Sequence, residues 1–109
     1  MTRRLSTIAA ALFAVLAGTC SAELPFTHAT VSGGVKVTSI TDEAQNQGNI
    51  EVGDIVIRAT RIKGNISRVR TSGQLQFFAQ ESRPAKMIFL DVIRSESGKV
   101  ETRIVPLEN

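Results

Sequence analysis

The sequence predicts a small α+β domain of about five strands and two helices, and three stretches carry that prediction. Residues 34–40 read Gly-Val-Lys-Val-Thr-Ser-Ile, the apolar and polar alternation of a half-buried strand. Val52-Gly53-Asp54 is a turn signal that opens directly into the apolar run Ile55-Val56-Ile57. Thr71-Ser72-Gly73-Gln74 has the spacing of a helix capping box and is followed by Leu75, Phe78 and Ala79 at helical intervals.

Taken in order, the first strand runs from Phe26 to Val31, with Phe26, His28 and Thr30 pointing one way and Thr27, Ala29 and Val31 the other. Ser32-Gly33-Gly34 ends it. The second strand puts Val35, Val37 and Ser39 on one face and Lys36, Thr38 and Ile40 on its reverse. Residues 41–48 begin with a cap-forming Thr, carry acidic residues in the first turn and stop at Gly48, which predicts a helix of barely two turns. Gly53-Asp54 then turns into a strand over 55–59 whose apolar run suits burial on both faces. The longer helix covers 71–82, and Arg83-Pro84 breaks it. A hairpin closes the domain, with strands over 87–93 and 100–107 and a Ser-Glu-Ser-Gly turn between them.

Ahead of this domain, Arg3 and Arg4 precede an apolar block over 5–18 and then the small residues Cys20, Ser21 and Ala22. That order is the one a secretory signal peptide uses, so 1–22 is assigned as a leader and 23–109 as the domain. The expected location is periplasmic or secreted. Cys20 is the residue a lipoprotein signal would modify, but Thr19 directly before it departs from that pattern, and cleavage after Ala22 is the expectation. Cleavage there removes 22 of 109 residues, leaving 87, enough for one compact domain. It also removes the single cysteine, and with it disulfide and thiol chemistry. The whole-chain net charge of +3 falls by the two leader arginines to +1.

The order of strand, short helix, Gly-Asp strand, longer helix and hairpin over residues 34–107 resembles bacterial PDZ domains, such as those attached to periplasmic trypsin-like serine proteases and related envelope proteins. Gly48-Asn49-Ile50 and Gly53-Asp54-Ile55-Val56-Ile57 stand where that family has Ala-Gly-Leu and Gly-Asp-Val-Ile. Val69-Arg70, Leu75 four residues after Thr71, and Ile93-Arg94 before the last turn also match. The resemblance implies a partly open β-barrel or sandwich and a peptide groove between the first strand and the longer helix. It puts Phe26, Thr27, His28, Ala29, Thr30 and Val31 on one wall, and Ser72, Leu75, Phe78 and Ala79 on the other. An extended protein segment would add itself to the sheet there. The helix residues have a second reading, as plain core, and Phe77 on the adjacent face is the more exposed aromatic.

The family's carboxylate-binding loop, a Gly between apolar residues ahead of the groove strand, has no counterpart in Glu23-Leu24-Pro25-Phe26. This opens an alternative: a degenerate PDZ fold that serves as a structural subunit of an envelope complex and does not bind free C-termini. Either way the partner is a protein or peptide of the cell envelope, and no cofactor is expected.

Enzymatic readings are weaker. His28 is the only histidine and could be set beside Asp54 or Asp91 and a serine, but the sequence has no nucleophile elbow. A lone His without cysteines falls short of a metal-ligand cluster, so neither catalysis nor a metal site is expected. Residues 58–70 hold Arg58, Arg61, Lys63, Arg68 and Arg70 with no acidic residue between them. That segment suits acidic peptides or anionic lipid headgroups, or is a solvated loop balanced elsewhere. Membrane contact, if any, runs through it or through lipidation of Cys20. It lacks the interleaved aromatics of a nucleic-acid surface, and no nucleic acid is expected. Asn65-Ile66-Ser67 matches a glycosylation acceptor and reads as an exposed turn.

Overall fold

The computed structural model describes residues 24–61 and 63–107. The assigned leader and Cys20 lie outside the described residues. Six strands form one antiparallel sheet there: β1 (Phe26–Val31), β2 (Gly34–Ile40), β3 (Ile55–Thr60), β4 (Ile66–Arg68), β5 (Met87–Ile93) and β6 (Val100–Pro106). Their order is β1-β2-β3-β5-β6, and the short β4 pairs with the end of β3. One α-helix, α1 (Ser72–Glu81), packs on the inner face. The arrangement is a small α+β fold.

Two of the predicted glycine turns are built around close packing or positive φ. Gly34 passes so near β3 that a Cβ would lie 2.4 Å from the carbonyl oxygen of Val56. Gly53 adopts φ +97°, a conformation that disfavours any side chain, and so lets Asp54 turn inward. Asp54 is fully buried and joins two loops: its carboxylate accepts the backbone N–H of Glu51 at 2.9 Å and of Ser95 at 2.9 Å. Arg94 stands 3.6 Å from the same carboxylate and donates to the carbonyl of Asn49 at 2.9 Å.

The second predicted helix does not form. Residues 41–48 make successive turns. The N–H of Thr41 is taken by the carbonyl of Pro25, and Asp42 acts as the cap, its Oδ1 accepting the N–H of Gln45 at 3.0 Å. One turn later the Asn46 side chain bonds both the N–H and the carbonyl of Ile50, at 3.0 and 2.8 Å, and pulls the chain out of any helix. The left-handed residue is Asn49 at φ 55°, one position after the expected Gly48. Gly48 is needed for another reason: a Cβ there would meet the carbonyl oxygen of Ile104 on β6 at 2.6 Å.

Two bulges reset the side-chain alternation. The β1–β2 register passes from Thr27 opposite Ser39 to His28 opposite Val37, so Thr38 is an extra residue in β2. It returns Ile40 to the side of Val35 and Val37, where Ile40 packs against the core, and leaves Ser39 exposed, the reverse of the alternation expected from sequence. In β3, Val56 faces Val92 and Arg58 faces Asp91, so Ile57 is the extra residue and Val56 and Ala59 share the buried face.

Candidate functional site

Strand β1 is the end of the sheet. Its only ladder neighbour among the described residues is β2, so one edge of its backbone has no strand against it. Helix α1 begins beside that edge. Thr71 caps the helix as the capping box requires, accepting the N–H of Gln74 at 3.1 Å. The Gln74 side chain accepts from the N–H of Arg70 at 2.7 Å, one residue earlier than the reciprocal bond of a full box. This cap fixes where Ser72 lies relative to β1.

Ser72 fastens the start of α1 to the strand. Its hydroxyl lies 3.0 Å from Nδ1 of His28, and its N–H donates to Oγ1 of Thr30 at 2.9 Å. Gln76, one helical turn on, hydrogen-bonds the same histidine. Burial pushes the His28 ring below its usual 6.5, and the Gln76 bond offsets part of that shift. Gln76 escaped the sequence reading, although its i, i+4 spacing from Ser72 puts both on one helix face.

The residues expected to wall a groove divide into three groups. Thr27, Ala29 and Thr30 are exposed, and His28, Val31 and Ser72 are half-buried, so all six are within reach of a ligand. Phe26 is buried, its ring edge-on to His28 with centroids 6.0 Å apart. Leu75 and Ala79 are 0 % exposed and Phe78 only 7 %. These three belong to the core cluster with Val35, Val37 and Val92, and Leu75 and Ala79 offer a bound peptide no surface as the helix now sits. Phe77, by contrast, is 59 % exposed.

The possible triad partners of His28 are committed elsewhere. Asp54 ties the 51–54 turn to the last hairpin, as described above, and Asp91 accepts from Thr102 at 2.6 Å and from Arg58 at 2.9 Å. Those two bonds, Thr102 first, hold the Asp91 carboxyl below its ordinary range. The Ser72–His28 pair has the spacing of a nucleophile and base, but the group oriented on the imidazole is the neutral Gln76 amide, which cannot balance an imidazolium as a carboxylate does.

The basic segment is partly neutralised. Arg58 pairs with Asp91, and Arg61 makes a two-point contact with Glu81 at 2.8 and 2.7 Å while lying 4.8 Å above the Phe78 ring. The Arg61 hydrogen bond draws the Glu81 carboxyl below its usual value. Arg68 and Arg70 are exposed and line a concavity of about 340 Å³ beside Gly33 and Gly34. Among the described residues no helix is long and apolar enough to cross a membrane, and no group of three His, Cys, Asp or Glu side chains is placed to hold a metal.

No protein-family model matches the chain, and no curated protein or solved structure matches it significantly.

Proposed function

We propose that this protein is an exported, non-enzymatic binding module of PDZ-like design, which captures an extended segment of another envelope protein by strand addition along β1. One observation carries the reading: β1 is an edge strand with no ladder partner on its outer side among the described residues, and a helix runs beside it. Unpaired N–H and C=O groups on such an edge supply affinity that is independent of the ligand's side chains, while the neighbouring helix limits which side chains fit.

The Ser72 contacts add a condition. The start of α1 is held to His28 and Thr30, so an incoming strand must displace those bonds before it can run the length of β1. Each is a single hydrogen bond of about 1 kcal/mol, small against the ladder bonds gained. Titrating labelled protein with extended peptides should shift the backbone amides of 26–31 and 72–82 together. Unchanged amides in both segments across a varied peptide set would falsify the reading.

A second reading has its own support. Leu75 and Ala79 are sealed in the core, and the segment before β1 has no glycine loop to hold a carboxylate. These features suit a degenerate PDZ-like subunit that docks through another surface. Co-purification with an envelope partner that survives substitution of Thr30 and Ser72 would favour it.

A further inference from the structure

The outer face of the sheet, opposite α1, has an unusual distribution of side chains. On β6, Val100 and Ile104 are 51 % and 49 % exposed, while Glu101 and Arg103 turn toward the core side. A strand with one wet face normally does the reverse. The strand registers extend this into rows. Ile66, Thr60, Phe89 and Ile104 stand side by side across β4, β3, β5 and β6, and Ile66, Phe89 and Ile104 are all exposed. The next row, two residues along β5, is polar: Arg68, Arg58, Asp91 and Thr102. Beyond it Ile55, Ile93 and Val100 form another apolar row, which Lys36 of β2 ends on the far side of Ile55.

The geometry points to a symmetric homodimer formed by stacking this face on the same face of a second copy, about a two-fold axis that runs along the strands between β3 and β5. That axis sets β4 over the partner's β6 and β3 over the partner's β5. Ile66 then lies over the partner's Ile104 and Ile55 over its Ile93, the stem of Lys36 comes over Val100, and in the polar row Arg58 of one copy faces Asp91 of the other, twice. An axis along β3 would bring Arg68 over the partner's Asp91 but would also set Arg58 against the partner's Arg58. Arg58 reaches its own Asp91 through Nε, and its terminal nitrogens retain donor capacity for the partner's carboxylate. The net charge of about +1 expected for the exported chain opposes pairing little.

The available area fits a weak dimer. β3, β4, β5 and β6 hold 6, 3, 7 and 7 residues, which at about 3.3 Å per residue and about 4.8 Å per strand gives roughly 360 Å² in projection for each copy. The pair then covers roughly 700 Å² before side-chain relief, below the roughly 1,000 Å² of a stable interface, so the association is weak and concentration-dependent. A lipid surface or an unrelated protein could cover the apolar rows, but a lipid tail offers nothing to the Arg58–Asp91 row between them.

The experiment uses protein purified from its own cells. Sedimentation across a wide concentration range should show a mass that doubles reversibly. Ile104→Lys should weaken that association by about tenfold or more, whereas Phe77→Lys, on the helix side of the sheet, should leave it unchanged. In wild-type samples that mix isotope-labelled with unlabelled copies, intermolecular NOEs should link the methyls of Ile66 and Ile104, a readout that needs no variant to fold. A mass that stays monomeric at every concentration overturns the proposal. So does a dimer without those NOEs, or a monomer that binds vesicles through Ile104.

Discussion

The two ends of the sheet are finished differently. At the β6 end the chain covers its own edge: the Gln45 side chain donates to the carbonyl of Pro106 at 2.6 Å, and Gly48 lies against the carbonyl of Ile104. Backbone acceptors there are taken or shielded by the 42–50 turns, which are held in turn by Asn46, Asp54 and Arg94. At the β1 end the cover is thinner. It consists of side-chain and cap contacts from Ser72, which engage His28 and Thr30 but supply no strand. An edge closed by buried polar anchors is permanent, whereas one closed by two exchangeable hydrogen bonds can be reopened.

The contrast is broken most severely at its anchor. Asp54→Ala should cost about 3 to 5 kcal/mol, because it leaves two loop N–H groups without an acceptor and the buried Arg94 with only the exposed Glu51 carboxylate, 3.2 Å away, as counter-charge. Chemical denaturation should read that loss, and hydrogen exchange should show residues 45–51 deprotected first. Gly48→Ala should cost less, about 1 to 3 kcal/mol, since the added methyl must push the turn off the carbonyl of Ile104. Its exchange signature should centre on β6.

Ser72→Ala should cost only about 1 kcal/mol or less, yet accelerate amide exchange along β1 and strengthen peptide capture there. Equal or weaker capture by that variant would show that the Ser72 contacts are not a barrier to the edge. The smallest expected effect is one of pH. The folded state lowers the His28 pKa, so the unfolded chain binds the proton more readily. The associated stability is complete above 6.5 and declines as the pH falls through the lower folded value. An NMR titration of the imidazole should place its midpoint below 6.5, and a midpoint above it would reverse the sign.

Much of the fold was legible in the sequence, for reasons that are local. The strand at Phe26–Val31, the turn at Gly53-Asp54 and the capped helix at Thr71 all depend on residues within a few positions of one another. Residues 41–48 misled because their cap and acidic residues are sound helix signals, overruled by Asn46 bonding Ile50 and Gln45 bonding Pro106, the latter 61 residues away. Likewise, nothing local in β6 tells which of its two faces turns inward. Val105 and Leu107 decide that by entering the core, and the charged face follows them. For the candidate site, the edge strand and the neighbouring helix were readable, but the Ser72 fastening was not, since it joins residues 44 and 42 positions apart.

The extra residues in β2 and β3 also bear on how this chain tolerates changes of length. Excising Thr38 would join Val37 directly to Ser39, and the strand would still show in, out, in as far as Ile40. The same holds for Ile57 between Val56 and Arg58. A one-codon deletion at either place therefore spares the hydrophobic pattern that a deletion ahead of the bulge, at Lys36 for instance, would invert, and what it removes is the local bend.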